Sequence, residues 1–132
     1  MDFKELIRIA IKAREKAYVP YSNFKVGAAV LTEDENIYSG CNIENASFGA
    51  TNCAERTAIF KAVSEGHNII KAIAIIGDTK AFTYPCGICR QVMSEFADGA
   101  TLVILAKNEN EYITKTLEEV LPGAFTKKDL NK

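Results

Sequence analysis

The sequence predicts an α/β protein in three layers, α/β/α, with a mixed five-stranded sheet covered by helices on both faces. Three observations carry that expectation. Helix-period and strand-period segments alternate along the chain. A short run, "KAIAIIG", is apolar on both sides, as expected for a strand covered on both faces. And 132 residues with 48% hydrophobic content suit one globular domain, residues 1–132, with a modest core.

The elements follow in order. Asp2 with Glu5 three residues on is a capping-box pattern, and Phe3, Leu6, Ile7, Ala10, Ala13 and Ala17 recur at helical spacing, so a helix is expected over 2–17. "VPYSN" breaks it. Phe24, Val26, Ala28 and Val30 alternate, which reads as a strand over 24–31. "TEDEN" supplies a turn and "IYSGCN" returns as a second, antiparallel strand. A helix over 53–65 stops at Gly66, and "KAIAIIG" is the third strand. A helix over 86–97 ends near Gly99. "TLVILA" and "EYITK" are the last strands. Thr116 with Glu119 then caps a short helix that Pro122 and Gly123 terminate. The strand–helix–strand units call for parallel, right-handed crossovers. In such sheets sites form at loops and helix starts beside strand ends.

Composition excludes several classes. The net charge is −1, and no basic stripe suits nucleic acid or an anionic membrane. The tail "TKKDLNK" reads as a solvated end. "MDFKELIRIA" is charged from its second residue, unlike a signal peptide, and no apolar run approaches a membrane span. The expectation is a soluble, cytoplasmic protein. Four cysteines in such a chain point to metal or redox chemistry rather than a disulfide framework.

Cys86 and Cys89 in "YPCGICRQ" are three apart, so both thiols can face one point from the first turn of a helix that Pro85 is suited to open. Cys53 in "NCAERTAIF" opens the preceding helix. Three thiolates from two helix starts are a catalytic zinc pattern, since the fourth place stays open for water. Three thiolates around Zn²⁺ leave the site with a net negative charge. Two helix N-termini, each worth roughly half a positive charge, offset this. Arg56, one turn beyond Cys53, can donate to a thiolate; Arg90 either adds to the field or pairs with a surface carboxylate. Glu55, two residues from a ligand, is directed to the open face of the metal, where a carboxylate can move protons between water and substrate. Other readings stand beside this one. "CGIC" alone also suits a thioredoxin-type redox pair, which the added "CAE" unit disfavours. Cys41 is either a fourth ligand of a closed structural site or a buried strand-end thiol. His67, the sole histidine, reads as an exposed loop residue. Asn42 and Glu44 read as turn and surface residues, and Phe24 as core.

"CAE", then "PCGICRQ", with "PYSNFKVGAA", "NIENASFG" and "LPGAF" around them, resembles the homotetrameric zinc-dependent cytidine deaminases nearly end to end. The resemblance implies the cytidine deaminase-like fold and one Zn²⁺ per chain. It implies hydrolysis of cytidine and 2′-deoxycytidine to uridine and 2′-deoxyuridine plus ammonia, as in pyrimidine salvage. Cys53, Cys86 and Cys89 would hold zinc; zinc-bound hydroxide would attack carbon 4 while Glu55 shuttles protons. Ala54 would offer backbone contacts to the base, Phe24 would pack on the nucleoside, and Asn42 and Glu44 would bind the ribose hydroxyls. Phe48 and Phe125 would reach substrate bound in neighbouring subunits. Two positions depart from the family pattern. Phe48 stands where many members carry a tyrosine whose hydroxyl reaches the sugar, and Tyr84 replaces a serine before the Pro-Cys. Two alternatives follow: a deaminase of another cytosine compound, such as a blasticidin-type antibiotic or a nucleic acid, and a non-enzymatic zinc module.

Overall fold

A computed structural model describes residues 2–77 and 80–130. Helix α1 (Phe3–Arg14) is followed by β1 (Val26–Thr32), β2 (Ile37–Cys41), α2 (Ala54–Ser64), β3 (Ile70–Gly77), α3 (Gly87–Phe96), β4 (Leu102–Ala106), β5 (Tyr112–Thr116), α4 (Leu117–Val120) and α5 (Lys127–Leu130). The five strands form one mixed sheet in the order β2-β1-β3-β4-β5. β1 runs antiparallel to both β2 and β3, β3 and β4 are parallel, and β5 returns antiparallel to β4. The unit β2–α2–β3 therefore spans across β1, while β3–α3–β4 joins neighbours.

Side chains alternate across the sheet, and that alternation builds two cores. On one face Ala29, Leu31, Ala72, Ala74, Ile76 and Ile104 meet Leu6, Ile7 and Ala10 of α1. On the other, Val30, Ile73, Ile75, Val103 and Leu105 meet Ala58 and Ile59 of α2, Met93 of α3 and Leu117 and Val120 of α4. β1 is buried along its whole length, so its expected alternation of apolar and exposed positions gives way to two covered faces. Glycine lets α2 lie directly on the edge strand: a Cβ at Gly40 would fall 2.6 Å from the Ala58 amide nitrogen. This close approach fixes the start of α2, where Cys53 sits.

Element boundaries depart from the sequence expectation at two places that matter. α1 ends at Arg14, because Lys16 and Ala17 donate to carbonyls three residues back and tighten the chain out of the helix. The Asp2 carboxylate accepts from the Lys4 amide at 2.9 Å, one residue before the Glu5 amide that the box pattern pairs it with. Phe24 is not in a strand: β1 opens at Val26, and Phe24 lies in an extended loop whose amide donates to Ser22 Oγ at 3.0 Å. A single-turn 3-10 segment at Phe48–Ala50 and the exposed turn α5 carry no signal at helical or strand period. The capping box at Thr116 and Glu119 forms as expected. Most of the tail "TKKDLNK" is exposed, and Asn131 and Lys132 lie outside the described residues.

Candidate active site

Three chain segments lie side by side just past the end of β2. Isolated bridges pair Tyr18 with Ile43 and Ile43 with Asn52. They carry Asn42 and Glu44 alongside the residues that lead into α2. Cys53 is the N-cap of α2 and Cys86 the N-cap of α3. Ser, Thr, Asp and Asn dominate that position because their oxygens accept from the first turn, stabilising a helix by about 1 kcal/mol. Here two helices carry cysteine instead, and neither thiol makes a capping bond. Both sulfurs are directed to each other. Cys53 Sγ lies 3.7 Å from Cys86 Sγ, and Cys86 Sγ lies 3.4 Å from Cys89 Sγ. All three fall within 4.8 Å of one another. A tetrahedral zinc with thiolates at about 2.3 Å sets its sulfurs about 3.8 Å apart, so the donor set and its spacing fit that ion.

The electrostatics point the same way. The Cys53 thiol is pulled down to about 5, chiefly by the Cys89 thiol and then, against burial, by the Arg56 guanidinium and Cys86. Cys89 is pushed up by Cys53 and by its own burial. Three adjacent thiols cannot all ionise unaided, and a dication removes the conflict. Arg56 Nη2 donates to Cys53 Sγ at 3.4 Å and approaches the Thr51 carbonyl at the same distance. Its Nε is buried without an acceptor among the described residues.

Glu55 occupies the first turn of α2 and is only 4% exposed. Burial pushes its carboxyl up to about 7, and the charge on Cys53 pushes the same way. A carboxyl that exchanges its proton near neutrality is suited to proton transfer. Ala54 beside it is fully buried.

The polar residues expected near a sugar are built into a loop. Asn42 Oδ1 accepts from the Val26 amide at 2.9 Å and its Nδ2 donates to the Phe24 carbonyl at 2.8 Å. Glu44 Oε1 accepts from the Tyr21 and Ser22 amides, and its Oε2 accepts from Ser22 Oγ. The Ser22 hydroxyl, foremost, holds the Glu44 carboxyl below its usual range. Each residue keeps hydrogen-bonding capacity: one amide hydrogen and a lone pair on Asn42, and a carboxylate lone pair on Glu44. An open cleft of about 350 Å³ is lined by Tyr21, Ser22, Glu44, Phe48 and Thr51. Tyr21 and Phe48 pack edge to face at 6.3 Å, and Phe48 is 77% exposed. Phe24 is partly exposed and its ring borders Gly77. Phe125 is on the C-terminal segment, which the Gln91 side chain of α3 holds at the Phe125 carbonyl, and is 61% exposed.

Cys41 stands outside the thiol cluster, in a separate cleft with Thr57 and Lys61. His67 is paired with Asp34 at 2.7 Å and packs against Tyr38, so it is a tethered surface residue rather than a free loop one. Arg90 neither faces a thiolate nor pairs with a carboxylate among the described residues; it donates to two backbone carbonyls. Sequence reasoning missed Ser22 and Thr51, whose contribution is through loop geometry that no spacing signals.

Three thiols at two helix starts and a buried glutamate in the first turn of one of those helices define a zinc-binding hydrolase of the nucleobase-deaminase type. Comparison with known proteins specifies the family. The model of the cytidine and deoxycytidylate deaminase zinc-binding region matches residues 2–106. A cytidine deaminase of Halalkalibacterium halodurans is 55% identical over 131 residues, covering 99% of both chains. One of Sporosarcina psychrophila is 53% identical over 131 residues, covering 99% of this chain and 96% of its own. The crystal structure of cytidine deaminase from Burkholderia pseudomallei superposes with a TM-score of 0.90 at 47% identity, covering 95% of this chain and all of that one. The chain belongs to the cytidine and deoxycytidylate deaminase family.

Proposed function

We propose that residues 1–132 act as one deaminase domain that hydrolyses cytidine and 2′-deoxycytidine to the uridine nucleosides and ammonia. The observation that carries this reading is the Cys53–Cys86–Cys89 cluster beside the buried carboxyl of Glu55. In this reading the three cysteines hold one zinc ion. When bound, the metal supplies a Lewis acid that makes a coordinated water acidic near neutral pH. Glu55 accepts a proton from the attacking water and delivers it to ring nitrogen 3 of cytosine. It then takes the second proton, from the new hydroxyl on carbon 4, and delivers it to the departing amino nitrogen, so cytidine and water become uridine and ammonia. Arg56 draws electron density from Cys53, so the thiolates would donate less to a bound metal and leave it a stronger Lewis acid. The Ala54 backbone faces the base and Phe24 packs on the nucleoside. Asn42 and Glu44 use their remaining lone pairs and amide hydrogen on the ribose hydroxyls. Phe48 offers apolar contact only, with no hydroxyl for the sugar.

The same reading makes the active form a homotetramer with sites completed across subunits. Phe48, Phe60, Ile88 and Phe125 are all at least 46% exposed in the single chain. Each such side chain left in water forgoes up to about 1.5–3 kcal/mol of burial. Among the described residues no helix is long and apolar enough to cross a membrane. A cytoplasmic role in nucleoside salvage suits this. Free nucleosides are preferred to nucleotides, because Glu44 brings negative charge to the sugar end and no glycine-rich phosphate cradle is present. A substrate panel tests the assignment. Ammonia release from cytidine and deoxycytidine is expected, with cytidine 5′-monophosphate and a blasticidin-type antibiotic far behind. Release from the antibiotic alone would move the substrate to the alternative class.

A further inference from the structure

Two side chains that follow the thiol turn directly hold a distant part of the chain. Arg90 Nε donates to the Pro85 carbonyl at 2.7 Å, and Arg90 Nη1 donates to the Val120 carbonyl at 2.7 Å. One rigid guanidinium thus joins the residue before Cys86 to the last residue of α4. Gln91 Nε2 donates to the Phe125 carbonyl at 2.7 Å. Between these anchor points the chain forms one wall of an open groove of about 290 Å³, through Leu121, Gly123 and Ala124. Gly123 turns the backbone there with a φ of 65°, in the left-handed region. Leu121 packs against the core at the start of this segment, but Pro122, Gly123 and Phe125 beyond it are exposed, so packing does less to place its end. The polar pair does it instead.

We propose that Arg90 and Gln91 are positioning residues that fasten the Phe125-bearing segment to the turn holding Cys86 and Cys89. The inference rests on the assignment of Phe125 to substrate under the proposed function. A substrate contact and two zinc ligands are then held from neighbouring residues of α3, Gln91 serving the first and Arg90 the second.

The test uses the assembled, zinc-loaded enzyme. Gln91→Glu keeps the shape of the side chain but sets an acceptor against the Phe125 carbonyl. It should raise KM for cytidine about threefold to tenfold, the range of a lost hydrogen bond, with kcat within about twofold. Phe125→Ala should also raise KM, and adding Gln91→Glu to it should raise KM no further, because the two changes act through one contact. Arg90→Lys keeps the charge but cannot bridge two carbonyls. It should speed zinc transfer to a chromogenic chelator about tenfold, since charge-assisted bonds are the stronger kind. An unchanged KM in Gln91→Glu while Phe125→Ala raises it would overturn the inference and leave the proposed function standing. So would additive effects in the double variant, or unchanged zinc release in Arg90→Lys. An unchanged KM in Phe125→Ala would overturn the reading of Phe125 and the inference with it.

Discussion

Replacing Glu55 with glutamine separates what this residue does for turnover from what it costs the fold. Glutamine has nearly the same shape, so the first turn of α2 and the packing around a position only 4% exposed should persist. Activity should fall about 10²–10⁴-fold, the usual worth of a positioned proton-transfer group. That range is roughly 3–5.5 kcal/mol of transition-state stabilisation at 1.36 kcal/mol per decade. Stability of the metal-free chain should move the other way. The Glu55 carboxyl is raised from 4.5 in the unfolded chain to about 7 in the fold, foremost by burial. The folded state therefore binds the proton more tightly, and stability falls as pH rises from 4.5 to 7 and is flat above. Between those limits the loss is roughly 3 kcal/mol. Glutamine cannot ionise, so the variant should lack this fall and be more stable than the parent above pH 7. Steady-state rates with cytidine give the first quantity, and urea unfolding of both metal-free chains across that pH range gives the second. A variant with a tenth of the parent activity, or unfolding curves that stay parallel across the range, would refute the reasoning.

Three further outcomes are expected. Cys41→Ser should keep about one zinc per chain by metal analysis, since Cys41 lies in a different cleft; loss of the metal would bring it into the ligand set and favour a closed structural site. Arg56→Ala should lower kcat about tenfold to hundredfold, the range of a hydrogen bond to a charged group, with a smaller change in KM; an unchanged kcat would show that the helix dipoles suffice. Mixing a Glu55→Ala chain with a Phe125→Ala chain under conditions that exchange subunits should give more activity than either parent, because some sites regain both residues. Full activity from a monomer in sedimentation would end the shared-site reading.

The layers and the thiol cluster were legible in the sequence because they rest on short-range patterns. Burial on both faces leaves uninterrupted runs such as those in β3 and β4, and a helix start is marked by the residues just before its periodic stretch. The strand order was less accessible. Nothing local in "IYSGCN" says that it is the sheet edge, or that β1 lies between β2 and β3. Phe24 shows the limit of alternation: its spacing continues that of Val26 and Ala28, yet the Asn42 side chain ends the strand by taking the Val26 amide and the Phe24 carbonyl for itself. Arg90 shows another limit. Its neighbours in sequence are a thiol and a glutamine, but its partners are carbonyls at Pro85 and Val120, fixed only once α4 docks beside α3. Glu44 likewise appeared as a lone carboxylate, whereas three donors from Tyr21 and Ser22 bind it in the fold.

The most direct measurement follows the ultraviolet band of cytosine in cytidine while the metal is removed and restored. The account predicts steady loss of the band with the zinc-loaded chain, one ammonia released per cytidine consumed, abolition after stripping by a chelator, and recovery when one equivalent of zinc is returned. Undiminished turnover in the fully stripped chain, or no loss of the band with the zinc-loaded one, would contradict it.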